Sequence, residues 1–173
     1  MSPQLVFGLN SELVFNLNIA FCAASWAVFA WNFIWPWARN QPRVEALRPL
    51  LTLHSFRFLG LAFLIPGVVS PDLPAAFTHP AAVGDLIAAV LALLAMAALR
   101  TPIGMPLAWL FNIWGSADLI NAIYQGIAAQ MQAGQLGAAY FIPTFIVPLL
   151  LVTHFVMFVL MLRRTPTDAV KTN

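Results

Sequence analysis

Five runs of about 20 mostly apolar residues, each long enough to cross the hydrocarbon core of a bilayer as a helix, dominate this chain. They occupy 13–37, 50–69, 81–99, 106–128 and 140–162. A helix satisfies its backbone donors and acceptors internally, which is what a hydrocarbon medium demands. The linkers ARNQPRVEALRP, SPDLPAAFTHP, RTPIGM and QMQAGQLG all carry Pro, Gly or polar punctuation. The expected fold class is an all-α membrane protein: one domain, a bundle of five transmembrane helices, with 165–173 as a mobile polar tail. Composition agrees, because 8% of the residues are charged whereas a soluble domain carries about 25%.

Charge orients the bundle. Arg39, Arg43 and Arg48 fall in the first linker, Arg100 in the third, and Arg163, Arg164 and Lys171 after the last run, while the N-terminus and the second and fourth linkers hold neither Lys nor Arg. Cytoplasmic loops accumulate Lys and Arg, so the N-terminus is expected outside and the C-terminus in the cytoplasm. Trp31, Trp35 and Trp37 gather where the first run leaves the membrane, as expected of rings with an apolar body and a polar N–H. The start, MSPQLVFGLNSE, lacks the basic stretch of a secretory leader, and no cleaved leader is expected. A net charge of +2 without a basic face argues against a nucleic-acid partner. Cys22, the only cysteine, excludes an internal disulfide and any multi-cysteine metal motif.

Against this apolar background a few ionisable residues stand out. Arg57 lies about 10 Å along the second run from its cytoplasmic edge, where an arginine costs about 3 kcal/mol unless it turns inward to a partner. Asp118 sits near the middle of the fourth run, whereas Asp85 is placed nearer the outer face, so Asp118 is the preferred partner. His154, His54 and Asn112 fall at a depth similar to that of Arg57, and Asn121 shares a helical face with Asp118. Gly60, Gly84 and Gly115 lie on or beside these faces, as small residues do where helices approach closely. Pro80 is expected to open the third helix. Pro148 should free the carbonyl of Thr144 and kink the fifth.

The stretches HSFRFLGLAFLIPG, LPAAFTHPAAVGD, WLFNIWGSADLINAIYQG and FIPTFIVPLLLVTH together resemble a group of small bacterial multi-pass integral membrane proteins. The resemblance implies a similar compact bundle with Arg57, Asp85, Asn112, Asp118 and His154 as its polar positions; the expected location is the bacterial inner membrane. It carries no reaction with it.

Converging ionisable residues inside a membrane point to a site for a small polar or amphipathic ligand or to a proton relay, in contact with the lipid bilayer. Arg57, Asp118, His154, Asn112, Asp85, Asn121 and His54 are its expected residues. A second reading is a non-catalytic accessory or scaffold subunit of a larger membrane complex. A minor third is a b-type haem held by His54 and His154; otherwise no cofactor and no metal are expected. His79 with Asp72 makes only a weak metal pair. No catalytic residue can be assigned, because the chain lacks a Gly-x-Ser-x-Gly elbow, an HExxH helix and a phosphate-binding glycine loop.

Overall fold

The computed structural model describes residues 10–163, so the expected tail at 165–173 lies outside the described residues. Within them the chain is all α, with only an isolated bridge between Pro66 and Val69 outside its helices and turns. Helix α1, Ser11–Phe29, starts where Asn10 Oδ1 accepts the N–H of Leu13 at 2.7 Å, with Glu12 in the first turn near the positive end of the helix dipole. It runs through a π turn, Ala30–Ile34, into the short α2, Trp35–Ala38. Pro36 has no N–H to offer the carbonyl of Asn32, and its ring crowds that carbonyl, which accounts for the widened turn.

The second expected span is not one α-helix. Helix α3, Arg43–Ser55, passes directly into a 3-10 segment, Phe56–Leu64. A 3-10 segment rises about 2.0 Å per residue against 1.5 Å for an α-helix, so it carries the chain farther with fewer residues. Helix α4, Ala75–Ala98, opens after Pro74 rather than at Pro80, which sits inside it. The extended backbone of Pro74 (ψ 125°) ends the linker, and Pro80 is close enough to the helix start to disturb only its first turns. Helix α5 is Gly104–Ala128. After it come a 3-10 segment, Ala133–Tyr140, a π turn, Ile142–Ile146, and α6, Val147–Leu162. The turn ends just before Pro148, as expected of a residue that withdraws the donor from Thr144's carbonyl.

Among the described residues three helices are long and apolar enough to cross a membrane, rather than the expected five: Ser11–Ala38, Ala75–Ala98 and Ile142–Leu162. The α3 segment fails because its helix breaks at Ser55. Helix α5 has the length, but Asn112, Ser116, Asp118, Asn121 and Gln125 dilute its apolar character.

The arginine-bearing linkers meet at one end of the bundle. Arg43 donates to the carbonyl of Arg163, and Arg163 donates to the carbonyl of Arg39. Arg100 Nη2 donates to Glu45 Oε1 at 3.0 Å, and Arg48 Nη1 lies 3.6 Å from the other carboxylate oxygen. The other linkers meet at the opposite end. Ala138 N–H donates to Val68 O and Ser70 N–H to Gln135 O, both at 2.9 Å, while Ala133 N–H reaches Glu12 Oε1 at 3.2 Å. Gly137 turns this corner with φ 52°, a conformation that a side chain resists, and its Cα faces the carbonyl of Val68.

Helix α4 is the hub, packed against α3, the Phe56–Leu64 segment and α5. Two apolar clusters fill the bundle. Leu47, Leu51, Ala92, Phe111, Met157 and Leu160 lie toward the arginine end, and Phe15, Phe63, Leu73, Phe77 and Leu136 toward the other. Between them sits a polar layer.

Candidate binding site

Arg57 forms the centre of that layer and is 2% exposed. Its Nε donates to Asp85 Oδ1 at 2.8 Å and its Nη2 to Asp118 Oδ2 at 2.5 Å. Its Nη1 donates to the carbonyl of Gly115 at 2.9 Å and faces His154 Nε2 at 3.4 Å. The guanidinium therefore joins the 3-10 segment to α4, α5 and α6. Its planar fork suits this task, since each edge presents donors in a different direction.

Both carboxylates pair with Arg57, and the preference for Asp118 over Asp85 is corrected. The error came from opening α4 at Pro80. Because the helix starts at Ala75, Asp85 lies about 15 Å along it, and Asp118 lies about 15 Å before the end of the antiparallel α5. The two acids are level.

An arginine only donates, so His154 Nε2 must accept, and the ring proton belongs on Nδ1. That nitrogen lies 2.7 Å from Asn112 Oδ1, and Asn112 Nδ2 donates back to the His154 carbonyl at 3.3 Å. The buried Asn112 thus sets both the tautomer and the ring orientation of His154. Asn112→Leu should cost about 1–3 kcal/mol by leaving a buried donor unpaired. A thermal melt in detergent checks this, and an unchanged midpoint would speak against the assignment.

His54 is fully buried behind this layer. Its Nε2 lies 3.0 Å from Thr153 Oγ1, whose own proton is directed to the carbonyl of Leu149 at 2.9 Å, so the histidine is the donor. Among the described residues His54 Nδ1 then has no hydrogen-bond partner. Thr153 was not anticipated, although its place beside His154 in the sequence was a usable signal. The rings of His54 and His154 lie 4.1 Å apart, centroid to centroid, and Phe111 packs against both. This arrangement does not fit two axial ligands of one haem, because imidazoles on opposite faces of a macrocycle stand farther apart. Among the described residues, no group of three or more His, Cys, Asp or Glu side chains could hold a metal ion.

Asn121 is not part of the clasp. It is exposed and, with Asp118, lines a cleft of about 370 Å³ between α4 and α5. Pro80, Val83, Gly84 and Ile87 form one wall, Trp114 and Ala117 the other. Oδ2 of Asp118 is held by Arg57, while Oδ1 lies against Gly84 on that wall. Of the two acids paired with Arg57, Asp118 lines this cleft and Asp85 does not.

Three glycines clear the space. A Cβ on Gly60 would collide with the Asp85 carboxylate, and one on Gly84 with that of Asp118. A Cβ on Gly115 would lie 2.7 Å from His154 Cε1 and 2.8 Å from Arg57 Nη1.

A sequence model of the family described as Domain of unknown function (DUF8737) matches residues 14–162, a span that contains every member of the cluster. No curated protein and no solved structure matches the chain.

Proposed function

We propose that this chain, which belongs to the family described as Domain of unknown function (DUF8737), is a multi-pass protein of the bacterial cytoplasmic membrane whose internal polar cluster binds a small polar or amphipathic ligand. Three helices cross by virtue of length and apolarity. Helix α5 and the α3 segment with its 3-10 extension complete five crossings, their polar side chains and irregular backbone shielded by protein as hydrocarbon requires. With the arginine-bearing end in the cytoplasm, the N-terminus is outside.

One observation carries the functional reading: Arg57 is clamped by acids from two helices, and one of those acids opens onto a cleft in the side of the bundle. A purely structural clasp needs one acid and no opening. A ligand dissolved in the lipid would enter sideways, between α4 and α5, and meet Asp118 first. The same carboxylate is placed to take up and release a proton, so relay of protons through the cluster belongs to this reading.

Access through the cleft is testable with dicyclohexylcarbodiimide, a lipid-soluble reagent that reacts with protonated carboxyls. Peptide mass spectrometry should find the N-acylurea adduct on Asp118 and not on Asp85, with Ala117→Leu slowing it by narrowing the mouth. Equal modification of both acids, or of neither, would contradict the reading.

A second reading, an accessory subunit, is favoured by α1. Only 11% of the most apolar stretch of the continuous helix Ser11–Ala38, which α1 begins, is buried by the rest of the chain, and an apolar groove of about 740 Å³ runs between its Ala27, Ala30, Trp31 and Trp35 and helix α6.

A further inference from the structure

We infer that the cleft between α4 and α5 takes a protonated amine carried on an apolar body, an inference that rests on the ligand reading above. The first ground is charge. The cluster sets one guanidinium against two carboxylates, Asp85 and Asp118, with His154 accepting as a neutral ring. With both carboxylates ionised one negative charge is left over, which in a hydrocarbon medium calls for a balancing cation or proton.

The second ground is direction. Each nitrogen of the Arg57 guanidinium is turned onto a protein acceptor, so an anion entering the cleft would have to displace Asp118 to reach it. What the cleft presents instead is an acceptor surface: the Asp118 carboxylate and, about one turn along α5, the exposed Asn121. The third ground is the wall. Trp114 on the wall brings an indole, the aromatic side chain most favourable to a cation, and Val83 and Ile87 offer apolar cover for a hydrocarbon tail. The ammonium group would donate to Asp118 and Asn121 and cancel the surplus charge.

The test uses the purified full chain in neutral detergent, with hexylammonium, hexanoate and hexanol as probes of equal tail length. Carbodiimide modification of Asp118 is the readout. Hexylammonium should slow it about tenfold at ten times its Kd, by the mass action of a ligand that covers the carboxylate. Hexanoate and hexanol should not. Ala117→Leu, which fills the mouth without touching the cluster, should abolish the protection, and Asn121→Ala should weaken it.

If Asp118 is modified but hexanol or hexanoate protects equally, the amine is overturned and the open cleft stands. Modification that follows pH alone, indifferent to all three probes, makes the proton the balancing charge and also overturns the amine. If Asp118 is never modified, the cleft reading falls and the amine with it. Nanodiscs separate the sources: slower modification in phosphatidylethanolamine than in phosphatidylcholine, with no amine added, assigns the ammonium to a lipid head group. Protection by hexylammonium in phosphatidylcholine assigns it to a free amphipathic amine.

Discussion

Replacing Arg57 with methionine should lower stability by about 3–5 kcal/mol, the cost of leaving buried charges without their partner. The loss is large because the substitution strands two carboxylates at once, Asp85 and Asp118, along with the Gly115 carbonyl and His154 Nε2. Methionine keeps most of the stem volume, so lost packing is a minor part of the effect. An SDS titration in mixed micelles measures the change, and a loss under about 1 kcal/mol would mean that no buried pair of this kind exists. Neutralising the acids together, in Arg57→Met with Asp85→Asn and Asp118→Asn, should recover much of the stability, since an apolar or neutral replacement of a buried ion pair is often tolerated. The triple variant also separates two roles. Folding should return, while amine-dependent behaviour at the cleft should not.

The second large effect is expected at Gly84 and Gly115. Alanine in a helix interior normally stabilises by about 0.5–1 kcal/mol relative to glycine. Here the sign should reverse. The new methyl of Gly84→Ala occupies the place of the Asp118 carboxylate, and that of Gly115→Ala presses on His154 and Arg57. Overpacking of this kind costs about 1–3 kcal/mol, and these neighbours cannot retreat without breaking the Arg57 bonds. A Cβ on Gly126, on the same helix as Gly115, would meet its nearest neighbour among the described residues, Met131 Cε, at 3.6 Å, and Gly126→Ala provides the control, neutral or mildly stabilising. Asp118→Ala should partly relieve Gly84→Ala, because it removes the group with which the methyl collides. Thermal melts of the single and double variants would show this, and simple additivity of the two changes would argue against the contact.

Much of the architecture is legible in the sequence because hydrocarbon leaves few choices. Apolar runs must be helical, linkers must carry polar or kinking residues, and arginines gather at one end, as Arg43, Arg100 and Arg163 do. The inward turn of Arg57 follows from the same cost argument. What escaped reading was local. Two prolines six residues apart, Pro74 and Pro80, are both good helix openers, and taking the wrong one moved Asp85 by more than a turn and demoted it as a partner. The break at Ser55 has no proline or glycine to announce it. Gly60 and Gly84 read as generic helix contacts, and only the side chains they face show that each makes room for one carboxylate. Asn121 was grouped with Asp118 by helical spacing, which fixes a face but not how far a partner helix covers it.

The central claim is that one guanidinium is held inside the bundle by Asp85 and Asp118 together. A double-mutant cycle between Arg57→Met and Asp118→Asn, followed by the same cycle with Asp85→Asn, measures that bond directly in nanodiscs. The account predicts coupling of about 2 kcal/mol or more in each cycle, with the two acids also coupled to each other through Arg57. Changes that add within about 0.5 kcal/mol in both cycles would contradict it and place the arginine away from these acids.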